Sequence, residues 1–380
     1  MRAVILAAGE GSRLRPLTAT KPKVMIKVGN KPLVEYTVQA LAANGIKHVT
    51  MVVGYHRERV QTYFGDGRRF GLKIDYVFQE SLLGTAHALA HIPVQDEDLL
   101  VLGGDNIVDA PLIADLLRRR EGLSLVAKES NNPTKYGVLT LEGDRVVRIE
   151  EQPLYTTSEF VNTGVYYMPR GTLELVQRLT KEGVGGLTAF IQHLIDEGKD
   201  VTAIRSAGTW IDAVYPWDLL GVSAKILQVL KHPAPTTGEI APTAVLEGPV
   251  VIGEDVFVGA HSVITGPTSI GDNVSLGPGC IIDNCIINDD VQIGPGAVLQ
   301  NTVVAEGTIL GARFTALTGP CDVRVREGYY ALSNFGAVLG EDCVMSGGVT
   351  TEPGALVGNR VRVDPNRAVR GTIDDGTRVI

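Results

Sequence analysis

The chain has 380 residues, more than one hydrophobic core usually serves, so two domains are expected. Apolar residues make up 44% and charged residues 21%, at a net charge of −8, which excludes a disordered chain and a general nucleic-acid binder, since the latter needs broad basic surface. The cysteines, Cys280, Cys285, Cys321 and Cys343, show no metal-finger spacing and no disulfide framework, and read as small buried apolar side chains.

The first element is an apolar run, Ala3 to Ala8, with a strand over Val4 to Leu6. It is too short for a signal peptide or a membrane span, so a cytoplasmic protein without a membrane partner is expected. A glycine turn ends it, inside the stretch LAAGEGSRLRPLTATKPKVM at residues 6–25. Residues 1–31 hold Arg2, Arg13, Arg15, Lys21, Lys23, Lys27 and Lys31 against Glu10 alone, a local balance of +6 in an acidic chain. A glycine turn after a strand offers backbone N–H groups to phosphate, and cations behind it neutralise the remaining charge, so a small anion is expected to dock here. P-loop spacing does not fit, because no GK[ST] follows Gly11, and the dinucleotide glycine spacing is wrong. Taken singly, Arg15, Lys21 and Lys27 read as solvated surface charge.

Pro32 then opens a helix with Leu33, Thr37, Val38 and Leu41 at helical spacing, followed by strands over Val49–Val53, Ile74–Phe78 and Leu99–Leu102. Strands alternating with helices predict a largely parallel sheet wrapped by helices. LGGDN, residues 102–106, sets Asp105 at the carboxyl end of such a strand, where open α/β sheets bind ligands. In FQESLLGTAHAL, residues 78–89, the amide of Gln79 can accept from N3–H of uracil or thymine and donate to a neighbouring carbonyl, which favours a pyrimidine.

Three prolines in residues 231–243 mark a linker. Beyond it aliphatic residues recur every six positions: Ile252, Val258, Ile264, Ile270, Leu276 and Ile282, then Ile287, Ile293 and Leu299 after a one-residue shift, and later Leu339, Met345, Thr351, Val357 and Val363. A period of six is neither helix nor hairpin. It predicts a prism-shaped β-solenoid over 244–380 in which each aliphatic residue points inward and a small residue turns the corner, with residues 313–335 breaking the repeat as a protruding loop.

Two resemblances follow from these motifs. LAAGxGSRLRPLT with Pro22-Lys23, supported by the later motifs in order, resembles the sugar-1-phosphate nucleotidylyltransferases over residues 1 to about 225. The six-residue repeat resembles the hexapeptide-repeat left-handed β-helix, whose members are mostly trimers and often acyltransferases, and the two together are similar to archaeal bifunctional nucleotidylyltransferase/acetyltransferases. They imply a Rossmann-like α/β nucleotidyltransferase domain at 1–230, a linker at 231–243, a left-handed parallel β-helix at 244–380, and a homotrimer formed through it.

The implied reaction joins a sugar-1-phosphate to the α-phosphorus of UTP or dTTP and releases pyrophosphate. A phosphate monoester is already largely deprotonated at neutral pH, so positioning and charge neutralisation are required and a general base is not. The resemblance gives Arg13 and Lys23 as the clamps on triphosphate and sugar phosphate, and sets Ala8, Gly9, Gly11, Gln79, Gly84 and Thr85 against the nucleotide. It places Gly137, Glu151 and Asn162 on the sugar, and Asp105 with Asp212 on Mg2+. Glu151-Gln152-Pro153 departs from the Glu-Lys-Pro of many glucose-1-phosphate thymidylyltransferases, while Asn162-Thr163-Gly164 is nearer the N-acetylglucosamine-1-phosphate uridylyltransferases, so both sugars stay open. Acetyl transfer on the β-helix is one alternative; its lone histidine, His261, comes too early in the solenoid and reads as a corner residue. A silent scaffold subunit is the other, against which Arg13, Lys23, Asp105 and Asp212 speak. Every matched substrate residue precedes the linker, so a chain cut near His232 is expected to keep nucleotide binding.

Overall fold

The structure is a computed structural model that describes residues 1–229, 237–326 and 328–380; of the expected linker, residues 231–236 fall outside the described residues. The chain forms two compact units that do not follow chain order. One comprises Met1–Glu10 and Leu33–Asp212, the other Gly11–Pro32 and Ala213–Ile380.

In the first unit a nine-stranded sheet runs in the spatial order Lys73–Phe78, His48–Val53, Arg2–Ala7, Leu99–Gly103, Phe160–Met168, Leu123–Glu129, Val201–Arg205, Arg145–Glu151, Gly137–Glu142. The first four strands are parallel. Their apolar sequences have no polar face because helices cover both sides, and Val4, Ile5, Leu100 and Val101 are fully buried. Beyond that point the sheet is mixed: Phe160–Met168 and Arg145–Glu151 run antiparallel to their neighbours, while Val201–Arg205 pairs parallel with Leu123–Glu129. Helix Leu33–Ala43 buries Leu33, Val34, Thr37, Val38 and Leu41, the face that the spacing predicted.

Arg2–Ala7 is flanked by His48–Val53 on one side and Leu99–Gly103 on the other, so the chain reverses its direction of winding between Arg2–Ala7 and Leu99–Gly103. Ligands of open α/β sheets bind at such a reversal, outside the carboxyl ends of the strands. Ala8, Gly9 and Asp105 all leave the sheet there.

The second unit contains a parallel β-helix of three sheets with eight, seven and seven strands, each strand two or three residues long apart from a hairpin insertion. Its first strand, Gly238–Ile240, begins ahead of the expected position 244. Equivalent residues stand 18 apart in the early coils, as in Glu254 N–H to Asp272 Oδ1, and 17 apart after the shift, as in Asp272 N–H to Asp289 Oδ1. The inward positions are those of the repeat: Val258, Ile264, Ile270, Leu276, Ile282, Ile287, Leu299, Leu339, Met345 and Thr351 are all fully buried. One coil cannot enclose its aliphatic residues, but stacked coils do, at about 1.5–3 kcal/mol for each fully buried side chain. Of residues 313–335, expected as a loop that breaks the repeat, Thr315–Ala316 still pairs within the β-helix, while Gly319–Val325 and Gly328–Phe335 form a hairpin, and the ladder closes beneath it by pairing Val303–Val304 with Ala337–Leu339. His261 is exposed at a corner with φ 60°, and Cys280, Cys285 and Cys343 are buried thiols.

Candidate active site

In the first unit the turn that follows Arg2–Ala7 is held from both sides. Ala8 O accepts from Tyr55 N–H at 3.1 Å, and Leu6 O accepts from Gly104 N–H at 2.9 Å. Asp105 comes next, its carboxylate folded over Gly103, where a Cβ would lie 3.0 Å from Oδ1. A two-stranded ladder of Asn106–Val108 with Trp210–Asp212 pairs Asp212 with Asn106, so the two predicted metal carboxylates issue from neighbouring positions. Asp109 secures this arrangement. Its side chain caps helix Ala110–Arg119 through Leu112 N–H at 2.9 Å and accepts from Thr209 N–H at 2.8 Å, tying the segment before Asp212 to the segment after Asp105.

Three residues expected on the sugar converge. Gly137 is opposite Glu151 in the ladder of Gly137–Glu142 with Arg145–Glu151, and a Cβ on Gly137 would lie 3.2 Å from Glu151 Oε2 and 3.6 Å from Asn162 Cβ. Thr188 joins them, its hydroxyl donating to Glu151 Oε2 at 2.7 Å. Asn162 donates through Nδ2 to Tyr166 OH at 2.5 Å and accepts at Oδ1 from Gly164 N–H at 3.1 Å, which fixes its rotamer. Burial holds the Tyr166 phenol above the usual tyrosine range, so it stays protonated.

Gln79, only 3% exposed, donates through Nε2 to Gly84 O at 3.3 Å and to His87 Nδ1 at 2.9 Å. The sequence reading expected this amide both to accept and to donate toward a base; here both of its N–H groups are engaged within the protein, leaving Oε1 as the acceptor. His87 accepts only as a neutral ring, and burial, followed by the nearby His91, keeps its pKa below the usual imidazole value. Gly84 has φ 116° and approaches Gly185 so closely that a Cβ would stand 2.4 Å from Gly185 O. Thr85 is committed too: its hydroxyl accepts from Leu187 N–H at 2.9 Å, at the start of helix Leu187–Asp196.

Gly11, Arg13 and Lys23 belong to the second unit. Gly11 has φ 75°, and a Cβ there would meet Lys23 Cβ at 2.5 Å, so the turn and the lysine are packed directly together. Arg13 is the middle residue of a short 3-10 turn, Ser12–Leu14, and acts electrostatically on the phenol of Tyr215, which burial above all pushes up to about 12. The reading of Lys21 and Lys27 as solvated cations is overturned. Lys21 is 8% exposed and paired with Glu306 and Glu341, and Lys27 is paired with Asp289. Two of the cations that drew attention to the loop therefore answer carboxylates of the β-helix, while Arg15 is exposed as expected.

A family profile described as Nucleotidyl transferase matches residues 2–229. The chain belongs to the nucleotidyl transferase family. A second profile, the GMPPB C-terminal domain, matches residues 246–379 of this nucleotidyltransferase. A glucose-1-phosphate thymidylyltransferase of Streptomyces antibioticus is 37% identical over 264 residues, 67% of this chain and 73% of that one. The bifunctional protein GlmU of Methanococcus maripaludis is 32% identical over 268 residues, 69% of this chain but 62% of its own length. Among solved structures, a putative glucose-1-phosphate thymidylyltransferase from Bacillus anthracis in complex with a sucrose superposes with TM-score 0.56 at 25% identity, over 62% of this chain and 98% of that one. No helix among the described residues of the nucleotidyltransferase is long and apolar enough to cross a membrane.

The sequence reading missed Thr188, His87, Gly185 and Asp109. His87 stood inside the quoted FQESLLGTAHAL stretch and carried a signal through its spacing from Gln79. Thr188 and Asp109 carried none, because their roles arise from partners far along the chain.

Proposed function

We propose that this nucleotidyltransferase transfers a nucleotidyl group from UTP or dTTP to a sugar-1-phosphate, glucose-1-phosphate or N-acetylglucosamine-1-phosphate, with release of pyrophosphate. The observation that carries the reading is the ladder that pairs Asp212 with Asn106, the residue after Asp105, which follows the strand at the winding reversal of the sheet. Two hard oxygen donors suit Mg2+, which keeps several waters and completes its shell with substrate phosphate. When bound, the ion would offset the charge of the phosphate under attack.

In this reading Arg13 and Lys23 neutralise triphosphate and sugar phosphate, and Ala8, Gly9 and Gly11 turn backbone N–H groups toward the nucleotide. Glu151 accepts from sugar hydroxyls, oriented by Thr188, while Asn162 contacts the C2 or C3 substituent beside Gly137. Gln79 Oε1 accepts from N3–H of the pyrimidine, with Gly84 and Thr85 bounding the ring. Product analysis with a panel of nucleoside triphosphates and sugar-1-phosphates tests the reading; no nucleotide-sugar from any pair would reject it.

Gln79→Glu gives the sharper check. A carboxylate accepts only, so it would face Gly84 O and His87 Nδ1 with no proton to offer, a mismatch of about 1–3 kcal/mol. The expected result is a fall of roughly ten- to a hundredfold in kcat/KM for the pyrimidine triphosphate. An unchanged value would remove Gln79 from base recognition.

We also assign assembly as a cytoplasmic homotrimer to the β-helix. Exposed apolar residues on two of its three faces support this: Ile240, Phe257 and Ile309 on one, Val245, Leu246 and Ile281 on the next. Light scattering on the full chain should give three times the protomer mass, and a monomer would overturn the assignment.

A further inference from the structure

The segment that carries Arg13 and Lys23 is laid lengthwise along one edge of the β-helix. Asn30 Nδ2 donates to Ile270 O at 2.6 Å, Lys27 pairs with Asp289, and Lys21 Nζ lies 2.5 Å from Glu306 Oε2 and 2.9 Å from Glu341 Oε1. Asn359 Nδ2 donates to Pro16 O at 3.4 Å. The β-helix partners lie on stacked coils: Gly307 N–H donates to Asp289 O, Asp342 N–H to Glu306 O and Arg360 N–H to Glu341 O. As the coil position rises from 270 to 359, the loop position falls from 30 to 16. The loop is thus in register with the prism over successive coils. Beyond it, Arg326 at the hairpin tip donates to Ser12, the residue before Arg13, and Tyr330 shares a 2.6 Å hydroxyl contact with Tyr215.

Lys21 is the centre of this register. A buried ammonium is costly unless it is paired and hydrogen-bonded, and here two carboxylates from consecutive coils meet it. Burial works most strongly against its charge, yet the pair of glutamates outweighs burial and holds its pKa above the usual lysine value. Glu306, for which burial is again the largest opposing influence, is held below the usual carboxylate range by Lys21. Lys21 and Glu306 are therefore both charged at neutral pH.

We infer that Glu306 and Glu341 of the β-helix are positioning residues for nucleotidyl transfer, acting through Lys21 to hold Arg13 and Lys23 where the triphosphate needs them. This rests on the nucleotidyl-transfer reading above. Glue between chain segments would stabilise the fold and leave the kinetics alone; a positioning role moves substrate affinity. In Glu306→Gln/Glu341→Gln the KM for the nucleoside triphosphate should rise about tenfold with kcat changed far less, within the range by which residues acting through others modulate a site. Lys21→Met should reproduce this shift, and Lys21→Arg, whose fork can serve both carboxylates, should restore near wild-type KM. A folded double variant with unchanged KM would overturn the inference. Should the variants fail to fold, the wild-type chain decides through amide hydrogen exchange. Triphosphate binding must slow exchange around Glu306 and Glu341, because coupling is reciprocal, and unaltered exchange there would overturn it equally. Failure of the underlying reading would look different: wild type would bind no nucleotide and make no product. In that case exchange over residues 11–32 without substrate still decides whether the edge holds the loop, being faster in the double variant if it does and equal to wild type if it does not.

Discussion

Asp105→Asn should lower nucleotidyl transfer, and pyrophosphorolysis with it, by at least about a hundredfold, because charge stabilisation is the principal device of phosphoryl transfer. The substitution is close to isosteric, and the backbone around position 105 is fixed independently by Gly104 N–H to Leu6 O and by the Asn106–Val108 ladder. Thermal unfolding should therefore stay near that of the wild type while activity disappears. Measuring both on one preparation separates loss of metal binding from loss of fold. Retention of more than about a tenth of the activity would take Asp105 out of the metal site. Asp212→Asn should follow the same pattern.

Gly11→Ala should be the most damaging single methyl in the signature loop. The residue has φ 75°, which costs an L-side chain about 1–2 kcal/mol, and the new Cβ would also meet Lys23 Cβ at 2.5 Å, well inside contact distance. Lys23 cannot yield easily, since the atom struck is its own Cβ rather than the far end of its chain. Both the midpoint of unfolding and the KM for triphosphate should change. Gly9→Ala is the matched control: a Cβ there meets nothing within 4 Å, so stability should hold even where nucleotide affinity falls. Equal stability of the two variants would show that the Gly11–Lys23 approach relaxes without cost.

The β-helix was legible because its period is its structure: every sixth residue points inward, so a pattern of aliphatic residues names the core directly, down to Thr351 at an inward position. The strands around Asp105 were legible for a similar reason, being buried on both faces. What stayed hidden depended on partners distant in sequence. Lys21 looked like any surface lysine, since its carboxylate is 285 residues away and nothing local marks the pairing. Phe160–Met168 has the composition of any buried strand, and its antiparallel direction depends on neighbours more than 30 residues away rather than on its own residues. Thr85 carried a family motif yet spends its hydroxyl on Leu187 N–H, a bond that no spacing rule foresees.

The register between the loop and the coils also bears on how the molecule is made. Residues 16–30 leave the ribosome long before their partners at 289, 306, 341 and 359, and the farthest of these contacts closes across 343 residues. Contacts of such sequence separation form late, after local elements and their loop-closure costs have been met. The nine-stranded sheet has all its strands by residue 205, while the segment that carries Arg13 and Lys23 gains its β-helix contacts only as coils from residue 270 to 359 are added. A chain that stops before residue 289 thus lacks Asp289, Glu306 and Glu341, and the charged pairs of Lys21 and Lys27 cannot form.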